Sequence, residues 1–171
     1  FDRHAIEIYD TKTWPDNPLF YASFPSKTDE NFAPENKESA TFLIPIAPGI
    51  EDTPTIRQHY FDLIIRRLEK LTDQSISNSI LFKESYCVND FTKDYNAYKG
   101  NAYGLANTLR QTALLRPKLR SKKVANLYFT GQLTVPGPGV PPAIISGKVV
   151  AELIDKWKKK SNKQKMYEAA I

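Results

Sequence analysis

With 171 residues, 41% of them hydrophobic and 25% charged, and a formal charge of +5, the chain has a globular makeup that excludes a disordered tract, a collagen-like repeat and a multi-span membrane protein. No apolar run approaches the roughly 20 residues that a membrane-spanning helix needs. The single cysteine, Cys87, excludes an internal disulfide and a cysteine-rich metal site and agrees with a reducing, cytoplasmic compartment.

The opening FDRHAIEIYD has no initiator Met, basic n-region or apolar h-region, so it is not a signal peptide and reads as a chain entered partway through. It suits a short strand or helix, interrupted by the loop TKTWPDNP with its two prolines and Asp-Asn. The aromatic-rich LFYASFP reads as a strand ended by Pro25 and the polar SKTDENFAPENKES. ATFLIPIAP is the next apolar run, and Pro45 makes it irregular or places it at an edge. Two such runs across a loop rich in Pro, Asn, Asp and Ser predict an antiparallel pair.

Thr53 followed by Pro54 marks a helix start, a hydroxyl cap with a proline where the missing N–H does no harm. Ile56, Tyr60, Ile64, Leu68 and Leu71 then recur at helical spacing and form the predicted core stripe, with Arg57, Asp62, Arg66, Glu69 and Lys70 mostly on other faces. SILFKESYCV, residues 79–88, reads as a strand, and NDFTKDYNAYKGNAYG as a polar connection. Residues 105–115 form a short helical pattern stopped by Pro117, RPKLRSKK reads as a surface loop, and VANLYFT, residues 124–130, as a compact strand. A last helix is predicted over about residues 142–160, its lysines suiting the negative end of the helix dipole.

The positive excess sits mostly in DKWKKKSNKQKMYEAAI, from Asp155 onward. A solvated helix end accounts for such a run. The functional alternative is attraction to a membrane surface, where each Lys near anionic headgroups adds about 1 kcal/mol, with Trp157 and Met166 as a small apolar contact. Nucleic-acid binding is discounted, because the other basic residues are not interleaved with aromatics in a repeated pattern.

The most informative constellation is a strand, Gly131, then Pro136-Gly137-Pro138-Gly139-Val140-Pro141-Pro142, then a helix. Prolines fix some φ angles and glycines free others, so the backbone is tightly shaped and approaches a ligand without Cβ clashes. The helix directs its unpaired N–H groups and positive dipole end at whatever lies above residues 140–143, favouring an electron-rich or anionic group. In a flavoenzyme that group is the N1 and O2 edge of the flavin, whose negative charge grows on reduction. Ala143, Ser146 and Gly147 are small enough for close packing on a neighbouring sheet. A Pro-Gly loop with no ligand is the alternative.

YNAYKGNAYGLANTLRQTALLRPKLRSKKVANLYFTGQLTVPGPGVPPAIISGKVVAELI resembles the end of bacterial-type phytoene desaturases, and FYASFPSKTDENFAPENKESATFLIPIAP resembles their substrate-domain hairpin. The resemblance implies the C-terminal part of a two-domain α/β (mixed α+β) amine-oxidase-like oxidoreductase. Such an enzyme uses FAD to remove hydrogens from a long apolar C40 polyene and is associated peripherally with membrane. Residues 1–100 would be a substrate-domain portion, 101–160 the C-terminal part of the FAD-binding domain and 161–171 a basic tail. Carried over, Gly131 ends the strand beside the cofactor, and Gly137, Gly139, Val140 and Pro141 form the turn against the isoalloxazine, with Ser146 and Gly147 on the helix behind. Gln132 joins the cofactor-facing set, although many relatives carry an acidic or small residue there and the ribityl contact is not carried over with it. The G-x-G-x-x-G anchor for the FAD pyrophosphate is not in this sequence, since Gly137 and Gly139 are followed by Pro142. It would come from the N-terminal part of the same enzyme, so these 171 residues alone are expected to bind FAD weakly or not at all.

An apolar substrate calls for an apolar channel, for which Phe20, Tyr21, Phe24, Tyr86 and Tyr103 are the candidates, with ordinary core as the alternative for each. Strand alternation splits Phe20, Tyr21 and Phe24 between two faces, and the sequence does not say which faces inward. His59, within the amphipathic helix, is expected to be a satisfied structural histidine, and Asp90, Asp94 and Tyr95 have no assigned place at a channel. No catalytic base and no metal ligands are assigned. The alternatives to a desaturase are a related carotenoid isomerase or retinol saturase, or a non-catalytic module that holds a membrane or a partner.

Overall fold

The computed structural model describes residues 1–106, 108–112 and 115–168, without the side chains of residues 161 and 163–168. Among the described residues it mixes helices with one two-stranded antiparallel sheet, and it divides into two compact units, Phe1–Asn101 and Ala102–Ile171.

The first unit is organised by helix α2, Pro54–Thr72. The Thr53 hydroxyl accepts from the Ile56 N–H at 3.2 Å, the predicted cap, and Pro54 opens the first turn. Tyr60, Ile64, Ile65 and Leu68 are buried, each stabilising the fold by about 1.5–3 kcal/mol. The stripe differs from the expected one at its end. Leu71 is 75% exposed and Ile65 is buried instead, because Asp73 turns left-handed (φ 53°) and the last helical turn is left uncovered. The Pro-rich loop before the first strand packs against this helix. Trp14 stacks on Tyr60 with ring centroids 4.4 Å apart, the Tyr60 hydroxyl donates to the Pro15 carbonyl at 2.8 Å, and Pro15 and Pro18 are fully buried.

Helix α1, Asp2–Ile6, runs into a π-type turn, Glu7–Thr11. Buried His4 receives the Leu19 N–H on Nδ1 (2.8 Å), so its Nε2 carries the proton and donates to the Pro45 carbonyl (2.9 Å). His4 is therefore the satisfied structural histidine, whereas His59 is exposed with its ring edge-on to Tyr60. Strands β1, Tyr21–Ser23, and β2, Thr41–Leu43, pair antiparallel as predicted, with Tyr21 opposite Leu43 and Ala22 opposite Phe42.

Two expectations of extended structure give way. Residues 80–86 pair with no strand among the described residues, and Leu81 and Phe82 stay exposed. Helix α3, Val88–Tyr95, starts where the strand was to end and a polar connection was to follow. Its start is set by Asp90, whose carboxylate accepts the Cys87 N–H at 2.9 Å, and its end by Asn96 in the left-handed region.

In the second unit the described residues of 105–115 form turns rather than the predicted helix, and residues 107, 113 and 114 of that pattern lie outside the described ones. Residues 124–130 do not form a strand either. A strand needs a ladder of partners, and here one bridge, Arg120 opposite Tyr128, is flanked by the Ser121 N–H to Leu127 carbonyl and Phe129 N–H to Leu119 carbonyl bonds, both 2.9 Å, closing a narrow hairpin. The hairpin is not all surface, since Arg116 and Leu119 are buried. Helix α4, Val140–Glu168, starts two residues before the predicted point and runs past Lys160. It buries Ser146 and Val150 and is largely exposed from residue 151 to residue 160.

Candidate functional site

The turn between the hairpin and α4 requires glycine for its backbone. Gly131, Gly137 and Gly139 have φ of +99°, +139° and +109°, which side-chain-bearing residues rarely adopt. Around Gly131 the bonds converge. Its N–H donates to the Ser146 hydroxyl at 2.8 Å, and that hydroxyl donates to the Ala143 carbonyl at 2.6 Å, so fully buried Ser146 joins the end of the hairpin to the first turns of α4. The Gly131 carbonyl accepts from the Thr134 hydroxyl (2.8 Å) and N–H (3.1 Å). The packing role expected of Gly147 is not filled, because nothing lies within 4 Å of where its Cβ would be.

Arg116, placed by sequence reasoning in a surface loop, is 4% exposed and braces this turn. Its guanidinium donates to the Gln132 carbonyl at 3.1 Å, and a Cβ on Gly137 would stand 3.4 Å from its Cζ. In the sequence it sits among four other cations in eight residues. The one hint is that a planar five-donor fork serves carbonyls better than a lysine does. Gln132 is engaged as well, its side-chain amide donating to the Ala102 carbonyl at 3.0 Å.

The N-terminus of α4 offers fewer donors than a generic helix end. Pro141 and Pro142 carry no N–H, and the Ala143 N–H is taken by the Gly139 carbonyl at 3.0 Å. The amides of Gly139 and Val140 are left, neither with an acceptor among the described residues. The positive dipole end remains, equivalent to roughly half a charge. Beside these amides lies an apolar ledge, with Val140 74% and Ile144 69% exposed and Pro141 exposed between them. A Cβ on Gly131 would meet open space. Two free amides, a positive helix end, an apolar ledge and an open glycine backbone fit a planar apolar ring with one electron-rich edge. Gly131, Gln132, Gly137, Gly139, Val140 and Pro141 thus lie along one turn.

Within the first unit the candidate channel residues fall on separate faces. Phe20 and Phe24 both meet Phe42 edge-on, at 6.2 and 6.1 Å, and Arg67 stands over Phe20 at 5.1 Å, so these rings share the packed face of the hairpin. Tyr21 points to the opposite, exposed face with its partner Leu43. Tyr86 meets Phe91 edge-on at 4.8 Å and donates to Asp94 at 2.7 Å; partial desolvation and that bond push its phenol up to about 12. Tyr103 is exposed in the second unit.

Asp90 and Asp94 have structural partners. Asp52, its side chain fully buried, receives Nε and a terminal nitrogen of Arg57 at 2.6 and 2.7 Å and the Asn89 N–H at 2.8 Å. Arg57 also reaches Asp90 at 2.7 Å. The Arg57 guanidinium holds the Asp52 carboxyl below the usual carboxylate range, and the two aspartates raise Arg57 further. This network ties the start of α2 to the start of α3. Burial pushes the neighbouring Cys87 thiol up, away from reactivity. Among the described residues no group of three His, Cys, Asp or Glu stands close enough to hold a metal ion.

No protein-family model matches the chain. Individual proteins do. A carotenoid 3,4-desaturase of Haloarcula japonica is 45% identical over 154 residues, covering 90% of this chain and 31% of the relative. A zeta-carotene-forming phytoene desaturase of Myxococcus xanthus is 30% identical over 150 residues, 84% of this chain and 28% of the relative. A 4,4'-diapophytoene desaturase of Staphylococcus haemolyticus is 34% identical over 145 residues, 81% and 29% respectively. The chain therefore spans about a third of the length of the curated relatives it matches. Their names agree on one chemistry, and the match runs through most of both units: the chain belongs to the carotenoid desaturase family.

Proposed function

We propose that this chain is the C-terminal third of an FAD-dependent carotenoid desaturase, contributing the flavin-facing turn and part of the substrate-binding side. The observation that carries the reading is the 45% identity to a carotenoid 3,4-desaturase over nine-tenths of the chain. The glycine turn ending on two free amides supports it. Residues 1–100 then belong to the substrate domain and 101–160 to the FAD domain.

When bound, the flavin supplies the two-electron acceptor that dehydrogenation of a C–C bond needs. The protein's share is placement. The Gly139 and Val140 amides and the end of α4 favour negative charge on the flavin edge. Val140, Pro141 and Ile144 cover an apolar ring face and exclude water, and Gly131 lets the backbone come close. Arg116 and Ser146 position the turn. Gln132 reaches the cofactor through its backbone, its side chain being held by Ala102. Phe20, Tyr21, Tyr86 and Tyr103 remain the channel candidates, with Tyr21 and Phe20 serving different faces of the hairpin. No group is assigned as base.

The substrate is a long apolar polyene. The higher identity to a 3,4-desaturase than to a phytoene desaturase favours a carotenoid that is already conjugated, with phytoene as the second reading. Expression of the whole gene in one host that accumulates lycopene and another that accumulates phytoene separates the two by which pigment is lengthened. No new chromophore in either host overturns desaturation and favours a non-catalytic module. The chain by itself is expected to lose FAD on gel filtration, and stoichiometric yellow flavin retained there would overturn the assignment of the main anchor to another segment.

Among the described residues no helix is long and apolar enough to cross a membrane. The exposed second half of α4, with Leu153 and Trp157 part-exposed beside Lys156, Lys158, Lys159 and Lys160, suits peripheral attachment to an anionic membrane on the cytoplasmic side. Flotation with anionic vesicles, lost when residues after Asp155 are removed, is the expected result.

A further inference from the structure

The second unit has a concavity of about 480 Å³ on its hairpin, lined among others by Lys118, Arg120, Lys122, Lys123, Phe129 and Leu133. Three observations make it more than a basic surface. The sequence has no Asp or Glu from residue 95 to residue 151, so nothing on this stretch neutralises the four cations. Every ion pair among the described residues lies in the first unit, and none involves these lysines. Arg120 is also pre-set. Its Nε and one terminal nitrogen donate to the Ala125 carbonyl at 3.3 and 3.0 Å, and it stands 5.9 Å from the Tyr128 ring centroid.

Four like charges around one concavity repel each other, and an anion at its centre reverses the sign of that interaction. A phosphoryl group matches best. It carries up to two charges and accepts from several donors at once, here the three lysine ammonium groups and the guanidinium N–H groups that Arg120 does not spend on Ala125. Phe129 and Leu133, both part-exposed on the same wall, offer an apolar surface to whatever bears the phosphate. We propose that this cavity, walled by the hairpin and by Leu133 and Thr134 at the start of the glycine turn, binds a phosphate-bearing anion at a place distinct from the basic end of α4.

The test uses the 171-residue chain with inorganic pyrophosphate, followed by calorimetric titration, and with vesicles of phosphatidylcholine alone or mixed with phosphatidylglycerol, followed by co-sedimentation. Two triple variants carry the same charge change: Lys118→Gln with Lys122→Gln and Lys123→Gln in the hairpin, and Lys158→Gln with Lys159→Gln and Lys160→Gln in α4. All six lysines are exposed, and unchanged far-ultraviolet circular dichroism confirms folding. The expected result is saturable pyrophosphate binding that weakens about 10-fold or more in the hairpin variant, changes little in the α4 variant and falls as salt rises. If the hairpin variant also loses phosphatidylglycerol vesicles, the source is a lipid headgroup; if vesicle binding is unchanged, the source is a soluble phosphate ester. Equal weakening in both variants, or no saturable binding by the folded chain, overturns the proposal.

Discussion

The two units treat charge in opposite ways. Residues 1–101 hold 11 Lys and Arg against 16 Asp and Glu, while residues 102–171 hold 13 against 3, a net −5 beside a net +10. In the first unit the charged and polar groups are spent on one another: Asp52 on Arg57 and Asn89, Asp90 on Arg57 and Cys87, Glu38 on Lys27 and Ser26, His4 on Leu19 and Pro45. In the second unit, the lysines of the hairpin, the Gly139 and Val140 amides and the apolar ledge of α4 have no partner of matching kind among the described residues. A unit that closes its own interactions is legible as a fold. One that leaves them open is legible as a site, because exposed apolar surface beside uncompensated charge marks contact with something else.

The sharpest way to break this contrast is to open a closed network. Asp52→Ala leaves Arg57, its side chain 21% exposed, without its main partner, and should destabilise the chain by about 3–5 kcal/mol, as removal of one member of a buried pair does. Chemical denaturation followed by circular dichroism measures it. The same carboxyl gives a pH dependence. Its folded pKa is depressed, so its contribution is fully present above the ordinary unfolded value near 4 and is lost as pH falls through the lower folded value. Asp52→Asn should flatten that acid limb; a limb of unchanged steepness would assign the acid sensitivity elsewhere.

Gly100→Ala comes next. The alanine Cβ would lie 2.2 Å from the Val88 carbonyl oxygen and would sit at φ +62°, so backbone has to move. A loss of about 2 kcal/mol or more is expected, with α3 reporting it first because Val88 begins that helix. A loss below about 0.5 kcal/mol would show that the tight packing around Gly100 is not needed.

These cases also show what the sequence could and could not disclose. The α2 start was readable at Thr53-Pro54, where cap and proline act within one turn of chain, and the β1–β2 pair was readable because its two apolar runs flank a polar loop. Helix α3 was not, since its start depends on an aspartate reaching back to the amide of Cys87, a residue type that seldom announces a cap. The expected strand over residues 124–130 had the right composition, but a strand is a relation between segments, and among the described residues it meets a single bridge, Arg120 opposite Tyr128, with one backbone bond on either side. At the candidate site the glycines and prolines could be read directly, and so could the missing N–H groups of Pro141 and Pro142. The tie through Ser146 and the brace from Arg116 could not, because both join residues at least 15 apart.

Ser146→Ala probes that tie. Its hydroxyl is fully buried, accepting from Gly131 and donating to Ala143. Removing it leaves the part-buried Gly131 N–H without its acceptor and the Ala143 carbonyl without its side-chain donor, at a cost of about 1 kcal/mol. If the turn faces a flavin as proposed, flavin affinity of the full-length enzyme should fall together with stability, since the turn loses its register on α4. Thermal melts with and without FAD separate the two effects, and a melt shifted equally in both conditions would place the tie outside the cofactor's influence.

Gly131→Ala should have a similarly small effect on folding and the most telling effect on function. Its Cβ meets nothing within 4 Å, unlike that of Gly100, so the whole cost to the chain is the strain of holding alanine at φ +99°, about 1 kcal/mol. If the open space beside Gly131 is where the flavin comes close, the methyl group is harmless in the chain alone and obstructive in the loaded enzyme. Stability of the 171-residue variant should therefore drop only slightly, while the full-length variant should lose FAD on gel filtration under conditions that leave the parent enzyme yellow. Retention of flavin by that variant would mean that the glycine serves the bend of the chain and not the approach of a ligand. The second unit would then be, at this position, as self-contained as the first.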